Sequence, residues 1–70
     1  MKSLTINGAR RHFAADAMPG TLSGLLEELG VAADTVVAEV DGGIVPPEQF
    51  DATPLTDGQQ IELIKFMGGG

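Results

Sequence analysis

The sequence predicts an α+β domain in which one main helix lies across one face of a mixed sheet of four to five strands. Three observations predict it. An alternating segment at residues 2–7 runs into Asn7-Gly8 and a second strand. Leucines at helical spacing occupy residues 22–29, and apolar strand segments follow at 36–41 and 61–66. A helix this short does not hold by itself in water, so it requires the sheet beneath it.

Residues 2–7 place Leu4 and Ile6 on one face and Ser3 and Thr5 on the other, the pattern of a half-buried strand. Asn7-Gly8 is a strong hairpin signal because both residues accept a positive φ. Arg10–Ala14 returns as the second strand, with Phe13 as its core anchor, and residues 14–18 show no clear period. Pro19-Gly20-Thr21 ends that segment and opens the helix, with Thr21 as N-cap. Leu22, Leu25, Leu26 and Leu29 fall at i, i+3, i+4 and i+7. Burying them contributes roughly 1.5–3 kcal/mol per leucine, the main glue of the domain. Gly24 weakens the helix and Gly30 suits its end.

Val36–Asp41 reads as the third strand, with Val36, Ala38 and Val40 on one face. Asp41-Gly42-Gly43 turns the chain into Ile44-Val45, which Pro46-Pro47 stops. Glu48–Phe50 forms a single helical turn with Phe50 plugging the core edge, and Asp57-Gly58 turns into the last strand, Ile61–Phe66. In that strand Ile61 and Leu63 face the helix, while Ile64 and Phe66 share the opposite face with Glu62. Two readings fit Ile64 and Phe66. They cover a minor cluster under the loop from Pro46 to Leu55, or they form an apolar docking patch for a partner.

Composition narrows the function classes. A chain of 70 residues buries only about 60% of its unfolded surface, so its core is thin and a deep active site has little room. There is no cysteine, hence no disulfide and no thiolate metal site, and any sulfur it handles comes from elsewhere. The net charge of −6 disfavours nucleic acid and anionic membrane surfaces. It suits a partner with a basic docking surface, and equally serves solubility. With no secretory signal and no membrane-spanning apolar run, the chain reads as cytoplasmic.

A catalytic reading fails on inventory. His12 is the only histidine, a Cys–His pair is impossible, and neither Ser3 nor Ser23 sits in a nucleophile-elbow sequence. His12 reads as an ordinary strand residue. Asp41, Glu48, Asp51 and Asp57 lie in turns, where Asp serves local hydrogen bonds, and they lack calcium-loop spacing. No enzyme activity and no bound metal or cofactor is expected of this chain. Gly68-Gly69-Gly70 is different, because it directly follows the closing strand with no polar linker. Glycine has no Cβ, so such a segment threads a narrow cleft. Residues 67–70 reach roughly 13 Å from the sheet. A carboxylate is ionised at neutral pH and a poor electrophile, with a pKa near 3.5. Activation as an acyl-adenylate supplies the missing leaving group. A glycine run taken alone reads first as a disordered end or a cloning remnant.

Two blocks, Leu55–Gly70 and Val37–Pro46, carry the resemblance of the whole sequence to the ThiS-type sulfur carrier proteins of thiamine biosynthesis, in the ubiquitin-like (β-grasp) family. Ile61-Glu62-Leu63-Ile64-Lys65-Phe66-Met67-Gly68-Gly69-Gly70, preceded by Leu55-Thr56-Asp57-Gly58, is similar to their C-terminal signature. Val37-Ala38-Glu39-Val40-Asp41-Gly42-Gly43-Ile44-Val45-Pro46 resembles their central strand, turn and Ile-Val-Pro segment. Asp41-Gly42 stands where that family usually has Asn-Gly, Lys65 where His is frequent and Met67 where Val is frequent, and the segment from Arg10 to Pro19 is longer than usual.

The resemblance implies a β-grasp domain at residues 1–66 and a flexible glycine tail at 67–70. It implies that a ThiF-like adenylating enzyme, using ATP and magnesium, activates the Gly70 carboxylate. A persulfide sulfur donor then converts it to a thiocarboxylate that a thiazole synthase consumes. Gly68 and Gly69 serve access to the partner's active site, with Ile64 and Phe66 as candidate docking residues. The rivals are the small subunit of molybdopterin synthase, a carrier for another sulfur pathway, a ubiquitin-like modifier conjugated through Gly70, and a plain binding module.

Overall fold

Each of the two hairpins turns on a dipeptide in the left-handed region. Asn7 and Gly8 have φ of 51° and 83°. They join β1 (Lys2–Ile6) to antiparallel β2 (Ala9–Phe13), with Ile6 opposite Ala9. Asp41 and Gly42, at 50° and 85°, join β3 (Val36–Val40) to β4 (Gly43–Val45), with Val40 opposite Gly43. Two-residue loops with positive φ at both positions match the right-handed twist of the strands they connect. The structure, a computed structural model, describes residues 1–66. The expected tail at 67–70, with Gly68, Gly69 and Gly70, lies outside the described residues.

The strands form one five-stranded sheet in the order β2-β1-β5-β3-β4, with β5 (Gln60–Lys65) at its centre. β5 runs parallel to β1, pairing Thr5 with Gln60 and Ile6 with Ile61. It runs antiparallel to β3, from Val36 opposite Lys65 to Val40 opposite Ile61. The helix α1 (Leu22–Leu29) packs on one face, as the leucine stripe requires. This is the α+β arrangement expected, the ubiquitin-like β-grasp fold. Strand limits differ from the expected ones by a residue at several ends, as strand ends commonly do.

Capping explains where α1 starts and stops. Thr21 is extended, at φ −135° and ψ 163°, and its side chain accepts from Gly24 N–H at 3.2 Å. Gly30 takes φ 72°, which lets Val31 N–H turn back onto Leu26 O at 2.9 Å. Leu22, Leu25 and Leu26 are buried against Leu4, Phe13, Ala38 and Ile61. Leu29 is only half-buried, because the helix ends there and its side chain lines an open cleft with Ile6.

A 3₁₀ helix at Pro47–Ala52 replaces the single turn expected at 48–50. Leu22 N–H donates to Thr53 O, and Leu55 N–H to Gly20 O, each at 3.0 Å. These bonds tie the segment alongside the start of α1. Phe50 is therefore a full core member, 2% exposed, with Leu55 beside it.

Gly24 gives a direct test of the helix. A Cβ there would lie 3.4 Å from Thr21 Oγ1 and 3.5 Å from Pro19 Cβ, ordinary van der Waals contact. Gly24→Ala is expected to raise stability by about 0.5–1 kcal/mol through helix propensity. Urea unfolding measures it, and a lowered midpoint would mean that Thr21 or Pro19 cannot accommodate the methyl.

Candidate functional site

The site begins with what holds β5. Its entry turn is tied to β1: Ser3 N–H donates to Asp57 Oδ1 at 2.8 Å, and Gly58 N–H donates to Ser3 O at 2.8 Å. Across the other side, the Asp41 carboxylate accepts from Gln60 N–H at 2.9 Å and from Gln59 Nε2 at 3.2 Å. Farther along, the Asn7 amide serves as one more step of the β1 ladder. Leu63 N–H donates to Asn7 Oδ1 at 2.7 Å, and Asn7 Nδ2 donates to Leu63 O at 3.2 Å. Asn7 thus has two functions, because the same left-handed backbone that makes the turn also aims the amide along β5.

Alternation along β5 then decides what each side chain meets. Ile61 is buried and Leu63 packs against the core beneath α1, as expected. Ile64 and Phe66 stand on the opposite, open face, 51% and 46% exposed. The loop from Pro46 to Leu55 does not cover them, because its apolar residues Phe50 and Leu55 go into the core beside α1. Val37 lies directly opposite Ile64 and is also exposed, and Ile44 projects from β4 opposite Glu39. The result is an apolar strip on an uncovered sheet face.

That strip carries a repulsive pair. Glu39 and Glu62 are direct cross-strand partners, and like charges in that relation destabilise a sheet. Among the described residues neither glutamate has an ion-pair partner, the only pair being Arg11–Glu28 at 3.3 Å. A basic surface laid on this face would remove the repulsion. Among the described residues no group of three His, Cys, Asp or Glu is placed to hold a metal. No helix among them is long and apolar enough to cross a membrane.

Ile64 and Phe66 were legible from the strand period, and Val37 was implied by the same alternation in β3. Ile44 was not, since its neighbour depends on the β3–β4 register. The Asn7 clamp was missed altogether, because a turn signal conceals a second use of the same side chain. Gly68, Gly69 and Gly70 belong to the undescribed residues.

Comparison with known proteins adds the following. Residues 4–70 match the ThiS family model. A crystal structure of a thiamine biosynthesis protein (ThiS) from Geobacter metallireducens superposes with a TM-score of 0.79 at 39% identity, covering 97% of this chain and 99% of that one. A solution structure of a thiamine biosynthesis protein from the same organism gives 0.77 at 39% identity, covering 97% and 87%. A thiazole synthase of Paramagnetospirillum magneticum is 39% identical over 67 residues, 96% of this chain. A second, from Magnetococcus marinus, is 40% identical over 50 residues, 71% of this chain. The chain spans only 20% and 15% of the lengths of these two synthases.

The Asn7 clamp is testable on its own. Asn7→Asp keeps a residue that tolerates positive φ and keeps the acceptor for Leu63 N–H, but removes the donor to Leu63 O. A loss of about 1 kcal/mol is expected in denaturant unfolding. Unchanged stability would show that the amide donor does nothing for β5.

Proposed function

The chain belongs to the ThiS family, and from that membership we propose that it is a protein-borne sulfur carrier for thiamine biosynthesis whose Gly70 carboxylate is the reacting group. The observation that carries this reading is the family match itself, which runs through residues 4–70 and so includes all three glycines. The chain acts as co-substrate, in the cytoplasm, and other proteins perform the catalysis.

The chemistry balances with classes of reactant that such partners supply. A ThiF-like adenylating enzyme joins the Gly70 carboxylate to the α-phosphate of ATP, with magnesium on the phosphates, and pyrophosphate leaves. The terminal sulfur of a protein persulfide attacks the acyl carbon and AMP leaves, giving an acyl disulfide. A thiol then attacks the donor's sulfur in that disulfide and releases the thiocarboxylate, while the two thiol sulfurs end as a disulfide. Every sulfur comes from a partner, which suits a chain without cysteine. Similarity to part of two thiazole synthases supports a thiazole synthase as the acceptor.

The open face suits docking of the adenylating enzyme. Ile64 and Phe66, with Val37 and Ile44, give an apolar centre, and Glu39 and Glu62 call for basic groups opposite. Gly68 and Gly69 then bring Gly70 into the enzyme's cleft without side chains to obstruct it.

Two measurements test this reading. Incubation with a cognate adenylating enzyme, ATP, magnesium and a persulfide donor is expected to give an intact mass with one oxygen replaced by sulfur. Adducts on lysines, or an unchanged mass, would overturn it, and so would full loading of a variant extended by one residue after Gly70. For the docking face, Ile64→Ala is expected to weaken enzyme binding by ~1 kcal/mol or more. Its effect on folding should stay well below the ~2–5 kcal/mol of a core truncation. A defect borne mainly by stability would retire the patch.

A further inference from the structure

β5 is the central strand, yet among the described residues its end is paired with a strand on one side only. Asp41 N–H donates to Gln60 O at 2.8 Å and Phe66 N–H to Thr35 O at 3.2 Å, so the even-numbered residues bond toward β3. The odd-numbered ones bond toward β1: Thr5 N–H reaches Gln59 O at 3.0 Å, and Asn7 N–H reaches Ile61 O at 2.9 Å. Leu63 is taken by the Asn7 amide. By the same alternation the N–H and C=O of Lys65 point to the β1 side. There the β1 chain has already turned away at Asn7-Gly8. An open strand edge of this kind is a template for a further strand.

A trough lies beside this edge. A cleft of about 330 Å³ is lined by Ile6, Leu29, Val31, Val36 and Leu63, with Lys65 at its border. It adjoins a second cleft of about 340 Å³ through the shared side chains of Ile6 and Leu29, and Arg10 and Arg11 border that one. The protein has a net charge of −6 and only four Lys and Arg residues, yet Lys65 lines the first cleft and Arg11 the second, while Arg10, paired with Thr5, carries its side chain to the other face of the sheet. Arg11 is shared with Glu28 at 3.3 Å and lies over the Phe13 ring. Among the described residues, Lys65 has no ion-pair partner. The charge here is opposite in sign to that of the open sheet face, where Glu39 and Glu62 stand together.

We propose that this trough receives an extended peptide segment of a partner protein, an apolar side chain flanked by Asp or Glu. The segment's backbone pairs with Lys65 and its apolar side chain seats among Leu29, Val31, Val36 and Leu63. One of its carboxylates meets Lys65. The proposal is independent of the sulfur-carrier reading, since it uses neither Gly70 nor the open face.

The test is an NMR titration of the full ¹⁵N-labelled chain with an end-blocked synthetic peptide, Asp-Val-Ile-Val-Asp. Its controls are Lys-Val-Ile-Val-Lys and Asp-Ser-Asn-Ser-Asp. Shifts concentrated at Leu29, Val31, Leu63 and Lys65, with slowed exchange of the Lys65 amide, are expected for the first peptide alone. Lys65→Glu, an exposed position, should leave the free spectrum folded and weaken that binding roughly fivefold or more. Equal binding of the lysine-flanked control, or unaltered binding to Lys65→Glu, would overturn the proposal. So would shifts gathered at Val37, Ile44 and Ile64, or no site-specific shift at millimolar peptide.

Discussion

The central position of β5 is the constraint on which the rest depends. The final strand of the described chain lies between its first strand and its third, so the sheet is not closed until the last segment is in place. Its ladder to β1 is short, with only Thr5–Gln60 and Ile6–Ile61 paired. Side chains make up the difference. Asp57 takes the Ser3 amide, Asp41 takes the Gln60 amide, and the Asn7 amide takes both backbone groups of Leu63. Because such contacts join residues far apart in sequence, they form only after a large loop has closed. α1 then covers the face that this closure creates.

Much of this was legible because it is local. Asn7-Gly8 and Asp41-Gly42 announce two-residue turns by the backbone they tolerate, and Thr21 and Gly30 mark the helix ends by the bonds they offer. The side-chain anchors of β5 were not legible. Asp41 and Asp57 read as turn residues with local bonds, yet their partners are 19 and 54 positions away. No periodicity reports which strands become neighbours, so an amide or carboxylate in a turn cannot be assigned its distant partner. Phe50 shows the same limit. Its apolar character was plain, but full burial depends on Thr53 and Leu55 bonding to Leu22 and Gly20 at the start of α1.

The candidate site divides along the same line. Alternation in β5 put Ile64 and Phe66 on the open face, and choosing between a buried cluster and a bare patch required knowing where the loop after Pro46 goes. It goes to the core beside α1, and the patch stays bare. Glu39 opposite Glu62 could not be seen without the β3–β5 register. That pair is informative because it opposes stability on a thin domain with little to spare. A basic surface laid on that face would relieve it.

One strand thus presents two surfaces of different chemistry at the end of the described chain. Even positions of β5 show Glu62 and Ile64 to the open side, followed by Phe66 just past the strand, and odd positions end in Lys65 at the trough. Holding three glycines extended in a partner's cleft is costly, at about 1–2 kcal/mol per residue for the backbone alone. The glycines have no side chains with which to offset that. The binding energy has to come from the folded domain, close enough that a reach of roughly 13 Å suffices. Both surfaces satisfy that condition, because they lie on opposite sides of the final residues of a single central strand. Under the proposed function, a carrier loaded by one protein and emptied by another would gain from such a layout. Partners of opposite charge would then each be held by a different side of β5.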